Sequence, residues 1–309
     1  MTAAIAIRGA MKRFDQVQAV HRLDLVVPRG SLYGFIGPNG SGKTTTLRMI
    51  MRIILPDEGE IEVLGDPDTR AAHDRVSYLP EERGLYKRMT VRRLLRYFGS
   101  LKGARQPDLD RDIVRWLEAM RIPEWIDKRI DALSKGMAQK VQFVSAVLNR
   151  PELLILDEPF SGLDPVNAEV LVDAVLALRK AGTTVVFSTH DMAVAERLCD
   201  RIFMIYKGRK VLDGTLEQIQ AEYGFDTIRV ASDAGVDAFS GLLGVLDVRD
   251  RGNYQEVRFQ GDPQDLLRSL VDRTRISRFE IARPSLHDVF VRIAAPADPT
   301  SLEEKAHVA

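Results

Sequence analysis

Hydrophobic positions along this chain fall into two kinds of pattern. Short, continuous apolar runs recur in the first two thirds: "GSLYGFIG" over 30–37, "ELLILDEP" over 152–159, "GTTVVFSTH" over 182–190 and "RIFMIYKG" over 201–208. Runs without alternation suit strands covered on both faces, as in the sheet of an α/β domain. Between them the apolar residues take helical spacing: Leu47, Ile50, Met51 and Ile54 after the first run, Val141, Val144 and Leu148 before the second. The segment from about 90 to 150 is rich in Leu, Arg and Trp, is broken at Pro107 and Pro123, and reads as a helical insertion.

The pattern changes near residue 222. There "DTIRVAS", "GVLDVRD", "YQEVRFQG" and "ISRFEIAR" predict four strands, with a helical candidate inside the first pair and another inside the last. That order predicts a small ferredoxin-like α+β domain. The expected organisation is an α/β domain over 1–221, the α+β domain over 222–294, and a disordered Ala/Pro-rich, then charged tail over 295–309.

Composition narrows the classes of function. The chain has 309 residues, room for about two domains, and 44 Lys and Arg balance 44 Asp and Glu. A neutral total lacks the basic excess of many nucleic-acid binders. A single cysteine, Cys199, excludes an internal disulfide and fits a reducing cytosol. No apolar run reaches the roughly 18 to 20 residues needed to cross a bilayer, and the first residues carry no apolar core for a secretory signal. The expectation is a protein soluble by itself that docks on a membrane partner.

Two stretches carry chemistry. "GPNGSGKT", Gly37 to Thr44, matches G-x-x-x-x-G-K-[ST] and lies between a predicted strand and helix. Its glycines turn backbone N–H groups around phosphate oxygens, Lys43 adds charge at the β- and γ-phosphates, and the Thr44 hydroxyl reaches Mg²⁺. The candidate nucleotide-binding residues are Gly37, Pro38, Asn39, Gly40, Ser41, Gly42, Lys43, Thr44 and Thr45. "LLILDEP" ends a buried strand, expected beside the P-loop strand, with Asp157 and Glu158 at the sheet edge where ligands bind. Asp157 is expected to hold Mg²⁺ through water, and Glu158 to polarise an attacking water. "LSKGMAQK", Leu133 to Lys140, read alone is a helix capped by Ser134.

In order, the P-loop, "LSKGMAQK", "LLILDEP", "SGLD" and "STH" resemble the ATP-binding subunit of ATP-binding-cassette (ABC) transporters over about residues 5 to 216. The resemblance implies a P-loop ABC nucleotide-binding domain with its helical insertion. It implies ATP and Mg²⁺ as ligands and a dimer, of identical or related ATPases, with ATP at each shared site. Ser134 and the backbone of Gly136 would then contact the γ-phosphate of the partner's ATP, with Lys135 and Met137 departing from the usual LSGGQ. His190 would hold Glu158 and the water, and Asp164 would link the subunits while also capping a helix before Pro165. Phe14 takes the place of the adenine-stacking aromatic. Glu81 stands where the family has a Gln that reaches Mg²⁺; coordination and swinging away are both open. Leu85, Tyr86 and Met89 border the expected groove for a membrane subunit or, equally, seat the helical insertion. "PEERGLY", "LSKGM" and the closing "RPSLHDVFVRIA" resemble a bacterial export subgroup with an appended C-terminal domain. The reading is an ATPase at the cytoplasmic face of the plasma membrane, powering export through a separate membrane subunit, with no nucleic-acid partner. The alternative is a soluble ABC ATPase acting on ribosomes or DNA.

Overall fold

The computed structural model describes residues 2–67, 73–82, 84–101, 106–223 and 227–294. The expected tail over 295–309 lies outside them. The chain divides into two compact units, 1–215 and 216–309. The division precedes the helix Leu216–Glu222 instead of following residue 221. That helix goes with the C-terminal segment, where Gln220 Nε2 donates to the Pro284 carbonyl at 3.1 Å.

In the first unit the strands and helices run β1 (Ala3–Phe14), β2 (Val17–Pro28), β3 (Leu32–Ile36), α1 (Lys43–Ile50), β4 (Glu58–Val63), β5 (Val76–Leu79), α2 (Val91–Leu101), α3 (Gln106–Ala119), α4 (Lys135–Val147), β6 (Leu153–Asp157), α5 (Pro165–Lys180), β7 (Thr184–Thr189), α6 (Met192–Leu198), β8 (Arg201–Tyr206) and β9 (Arg209–Gly214). The central sheet has the order β5-β6-β7-β3-β8-β9, parallel except for the antiparallel edge strand β9. Every residue of β3, β6 and β7 is buried, which is why their sequences run apolar without alternation. Successive side chains still go to opposite faces: Leu154 and Leu156 join the core made with the helices α2 to α5, whereas Leu153 and Ile155 join the core under a second sheet, β2-β1-β4. The β1–β2 hairpin is not among the predicted strands, yet β2 alternates Leu23, Leu25 and Val27, buried, with exposed Arg22, Asp24 and Val26.

Two expectations change. The P-loop strand β3 is not adjacent to β6, because β7 lies between them. The helix after the P-loop stops at Ile50, ahead of the apolar spacing that reaches Ile54, because Arg52 turns into a left-handed conformation (φ 55°). The insertion is helical as read, built from α2 to α4 with 3-10 turns at Pro123–Trp125 and Ile130–Ala132.

The second unit contains α7 (Leu216–Glu222), β10 (Thr227–Ser232), β11 (Val245–Asp250), β12 (Gln255–Phe259), α8 (Pro263–Val271), β13 (Ile276–Ala282) and α9 (Leu286–Ala294). Its antiparallel order, β11-β12-β10-β13, is that of a ferredoxin-like sheet. The helical candidate between β10 and β11 is only a 3-10 turn, Gly235–Phe239; Gly235, Gly241 and Gly244 all take positive φ there and no helix propagates through them. A reciprocal cap starts α9: Ser285 Oγ donates to Asp288 Oδ2 at 2.6 Å, and Asp288 N donates back to Ser285 Oγ at 3.1 Å.

Gly99 lets α2 pack closely on α3, since a Cβ there would run into the Leu109 side chain. Gly99→Val is expected to cost about 1–3 kcal/mol through overpacking. Calorimetry should register a melting point several degrees lower; an unchanged value would contradict the packing described.

Candidate functional site

The site is assembled where β3, β6 and β7 end at one edge of the central sheet. Between β3 and α1 the chain folds back on itself through Gly37–Gly42. Gly37 (φ 150°) and Gly42 (φ 109°) have no room for a side chain: a Cβ on the first would strike the Ile205 carbonyl, and on the second would stand 2.7 Å from the Ala19 carbonyl. The turn therefore presents backbone N–H groups and the start of α1 to one open cleft of about 730 Å³, a size that suits a nucleotide. Ser41 Oγ is buried in the turn with no protein hydrogen-bond partner, which leaves it available to a bound phosphate.

Lys43 crosses the base of the cleft, only 5% exposed. Its Nζ donates to the carbonyls of Gly37 (2.7 Å) and Pro38 (3.2 Å) and lies 3.7 Å from Glu158 Oε1. Burial pushes the Lys43 ammonium below its usual pKa; the charges of Glu158, Asp157 and Glu81 oppose that shift.

Asp157, the last residue of β6, is held from three sides. Ser188 Oγ donates to its Oδ1 at 2.6 Å, Thr44 Oγ1 donates to the same oxygen at 3.2 Å, and Tyr78 OH donates to Oδ2 at 3.2 Å. Burial, reinforced by Asp157, pushes the Tyr78 hydroxyl up to about 12, so it remains a donor across the physiological range. The next residue, Glu158, takes a left-handed backbone conformation (φ 49°), rare for a residue with a side chain. Its N–H donates to Ser188 Oγ at 2.9 Å, and its carboxylate meets Lys43 on one side and His190 on the other. His190 Nδ1 is 3.1 Å and 3.0 Å from the two carboxylate oxygens. A carboxylate only accepts, which assigns the proton to Nδ1.

The sequence candidates thus separate into two groups. The P-loop, Asp157, Glu158 and His190 converge. Glu81 lines the same cleft and acts on Lys43 through its charge, but the hydrogen bonds on Asp157 come from Thr44, Ser188 and Tyr78. Ser134, Gly136 and Asp164 form the second group. Ser134 caps α4, accepting from Met137 N at 3.3 Å; Asp164 caps α5, accepting from Asn167 N at 3.0 Å. The two helix starts touch, because a Cβ on Gly136 would lie 3.2 Å from Asn167 Nδ2 and one on Gly162 would lie 2.6 Å from Lys135 Nζ. None of these three residues lines the cleft.

Phe14 ends β1 and is 45% exposed, with Lys12 Nζ 5.5 Å above its ring. The cleft wall at that end is made by Gln16–Ala19 and His21, with Lys207 and Gly208 beside them, His21 N donating to the Gly208 carbonyl at 2.8 Å, and does not include Phe14. Leu85 and Met89 pack on the helical core, whereas Tyr86 is half exposed and meets Tyr97 edge-on.

Sequence reasoning missed Ser188 and Tyr78. Ser188 was within reach, since the "STH" run places it two residues before His190 and β6–β7 pairing sets it opposite Asp157. Tyr78 carried no signal, because its role depends on β5 lying beside β6.

Magnesium fits the donor set: Thr44 and Asp157 offer hard oxygens at one point beside the phosphate turn. Among the described residues no three His, Cys, Asp or Glu side chains group to hold a metal unaided. The remaining ligands would be phosphate oxygens and water.

This fold and site define a P-loop nucleotide-binding protein of the ATP-binding-cassette kind. Residues 20–161 match the family described as ABC transporter, and residues 214–294 match "ATP-binding protein DrrA1-3-like, C-terminal domain". The chain is 39% identical to the ABC transporter ATP-binding protein YhaQ of Bacillus subtilis (strain 168), over 93% of this chain and 97% of that one. It is 33% identical to Nod factor export ATP-binding protein I of Ralstonia nicotianae, over 94% of each. Among solved structures, an ATP-binding subunit of an ABC transporter superposes with a TM-score of 0.67 at 30% identity, covering 72% of this chain and 94% of that one. The chain belongs to the ABC transporter ATP-binding proteins.

Ser188→Ala should show whether one hydroxyl organises both carboxylates. The buried Glu158 N–H loses its acceptor, at an expected cost of about 1–3 kcal/mol. With Asp157 deprived of its shortest hydrogen bond, Mg²⁺ affinity in a fluorescent ATP-analogue titration should fall by about 10- to 100-fold. Wild-type values in both measurements would remove Ser188 from the site.

Proposed function

We propose that this chain hydrolyses ATP with Mg²⁺ and, as one of two chains sharing each nucleotide, powers export through a separate membrane subunit. The observation that carries the reading is the placement of Glu158. Its carboxylate is held between Lys43 and His190, one residue beyond an Asp157 that is bonded to the P-loop threonine.

ATP phosphates entering the Gly37–Thr44 turn compete with Glu158 for the Lys43 ammonium. Glu158 then retains His190 as its partner and is free to accept a proton from water. That water's oxygen bonds to the γ-phosphorus while the bond to the bridging oxygen breaks and ADP leaves. Thr44 and Asp157 would hold Mg²⁺, which would supply charge neutralisation at the phosphate oxygens. Proton acceptance by Glu158 and its orientation by His190 are supplied by the chain.

The second group supports a site shared between two chains. Ser134 and Gly136 sit at the N-terminal end of a thirteen-residue helix, a place that favours anions, yet outside their own chain's cleft. A second chain facing head-to-tail would supply the phosphate. ATP would bridge two chains and ADP would not, so hydrolysis opens the pair. Asp164, at the adjoining helix start, is placed to join that interface. The exposed Tyr86 and Tyr97 offer an aromatic docking surface beside the Glu81 loop for the membrane subunit. Export as the direction is taken from the relative named for Nod factor export.

Glu158→Gln keeps the shape of the side chain and removes the proton acceptor. The variant is expected to bind ATP, lose at least about 99% of phosphate release, and elute as a dimer from size exclusion only with ATP. Wild-type turnover would end the assignment of Glu158.

A further inference from the structure

Helix α4 carries two buried amides, Gln139 and Gln142, three positions apart and hence on one face. Gln139 Nε2 donates to the Pro159 carbonyl at 3.3 Å, in the residue immediately after Glu158. Gln142 Nε2 is shared between the carbonyls of Pro80 (3.4 Å) and Glu82 (3.3 Å), the residues on either side of Glu81. One helix thus grips the backbone next to both glutamates that face Lys43.

The chemistry of Gln142 argues against simple filling. Its Oε1 is buried without a hydrogen-bond partner, a state that costs free energy. A Met would occupy the same length and volume and leave no orphan acceptor. The use of the amide lies in its donor, which among the described residues bonds to the loop that carries Glu81.

We infer that α4 is a positioning strut: Gln139 and Gln142 tie Glu158 and Glu81 to the helix that Ser134 begins. The inference rests on the proposed role of these glutamates in serving ATP. Neither amide lines the cleft, so both act through the loops they hold. A displacement of α4, such as an anion at its N-terminus would cause, moves the two glutamates together. The two groups of site residues, one in the cleft and one at the helix starts, are mechanically a single device.

A double-mutant cycle tests this. Gln142→Met is made in the wild-type chain and in Glu81→Ala, and each protein is measured for kcat, for KM, for melting point and for affinity toward a fluorescent ATP analogue with and without Mg²⁺. In the wild-type background the expected result is a kcat lowered by about tenfold, a KM within about twofold and a melting point not reduced, because misplacing a catalytic loop slows chemistry more than it weakens binding. The gain in analogue affinity on adding Mg²⁺ should shrink as well. In the Glu81→Ala background Gln142→Met should change neither quantity by more than about twofold, since effects that run through one residue are not additive. Equal losses in both backgrounds, or an unchanged kcat in the single variant, overturn the strut. If Gln142→Met does not fold, Gln142→Glu keeps the shape without the donor and is read in the same cycle. Failure of the wild-type chain itself to release phosphate counts against the proposed hydrolysis; the Mg²⁺-dependent affinity cycle then still decides the strut.

Discussion

The arrangement depends on one buried constellation of charge: the Lys43 ammonium facing Glu158, with Asp157 beside it, at the edge of an otherwise apolar sheet. Each of the three side chains is less than 9% exposed. Isolated charges at such depth are costly, and removing one partner of a buried pair leaves the other uncompensated. The constellation is tolerable because its members neutralise one another and because fixed donors surround them. It also sets what the cleft can accept, since only a ligand that brings its own anionic oxygens can take Lys43 from Glu158.

Local structure supplies those donors at the required points. Insertion of β7 between β3 and β6 sets Ser188 opposite Asp157, where one hydroxyl donates to the aspartate and accepts from the next N–H. The left-handed turn at Glu158 aims its carboxylate across the cleft instead of along the strand. The crowded Gly37 and Gly42 let the phosphate turn pack directly on the β8 end and the β1–β2 hairpin. From the far side, α4 fixes the loops behind both glutamates. Charge compensation at the centre and hydrogen bonding in the surrounding loops form one system.

The glycines of the phosphate turn, Lys43, Asp157, Glu158 and His190 were legible because each lies at a fixed offset from an apolar strand that the sequence marks plainly. Strands β3, β6, β7 and β8 were readable for the same reason. The adjacency expected for β3 and β6 was wrong, because apolar runs reveal burial but not order across a sheet. Ser188, Tyr78, Gln139 and Gln142 were not assigned, since each acts by tertiary contact with a segment remote in sequence. The period-two alternation of β2 is a weaker mark than the continuous apolar runs, because only one of its faces is buried. In the second unit strand order followed from pattern, but three glycines kept the first helical candidate to a single 3-10 turn. Phe14 matches the family's aromatic by its place in the chain, and its half-exposed ring lies outside the residues that wall the cleft.

On the proposed function, the buried Lys43–Glu158–Asp157 constellation carries Mg²⁺-dependent hydrolysis of ATP. The deciding experiment is phosphate release from ATP by the purified wild-type chain, followed with Mg²⁺ and again with the metal chelated. Many turnovers per chain with Mg²⁺ and none without it are predicted. A chain that binds ATP with Mg²⁺ yet releases no phosphate over hours would contradict it and leave a nucleotide-binding protein without a motor.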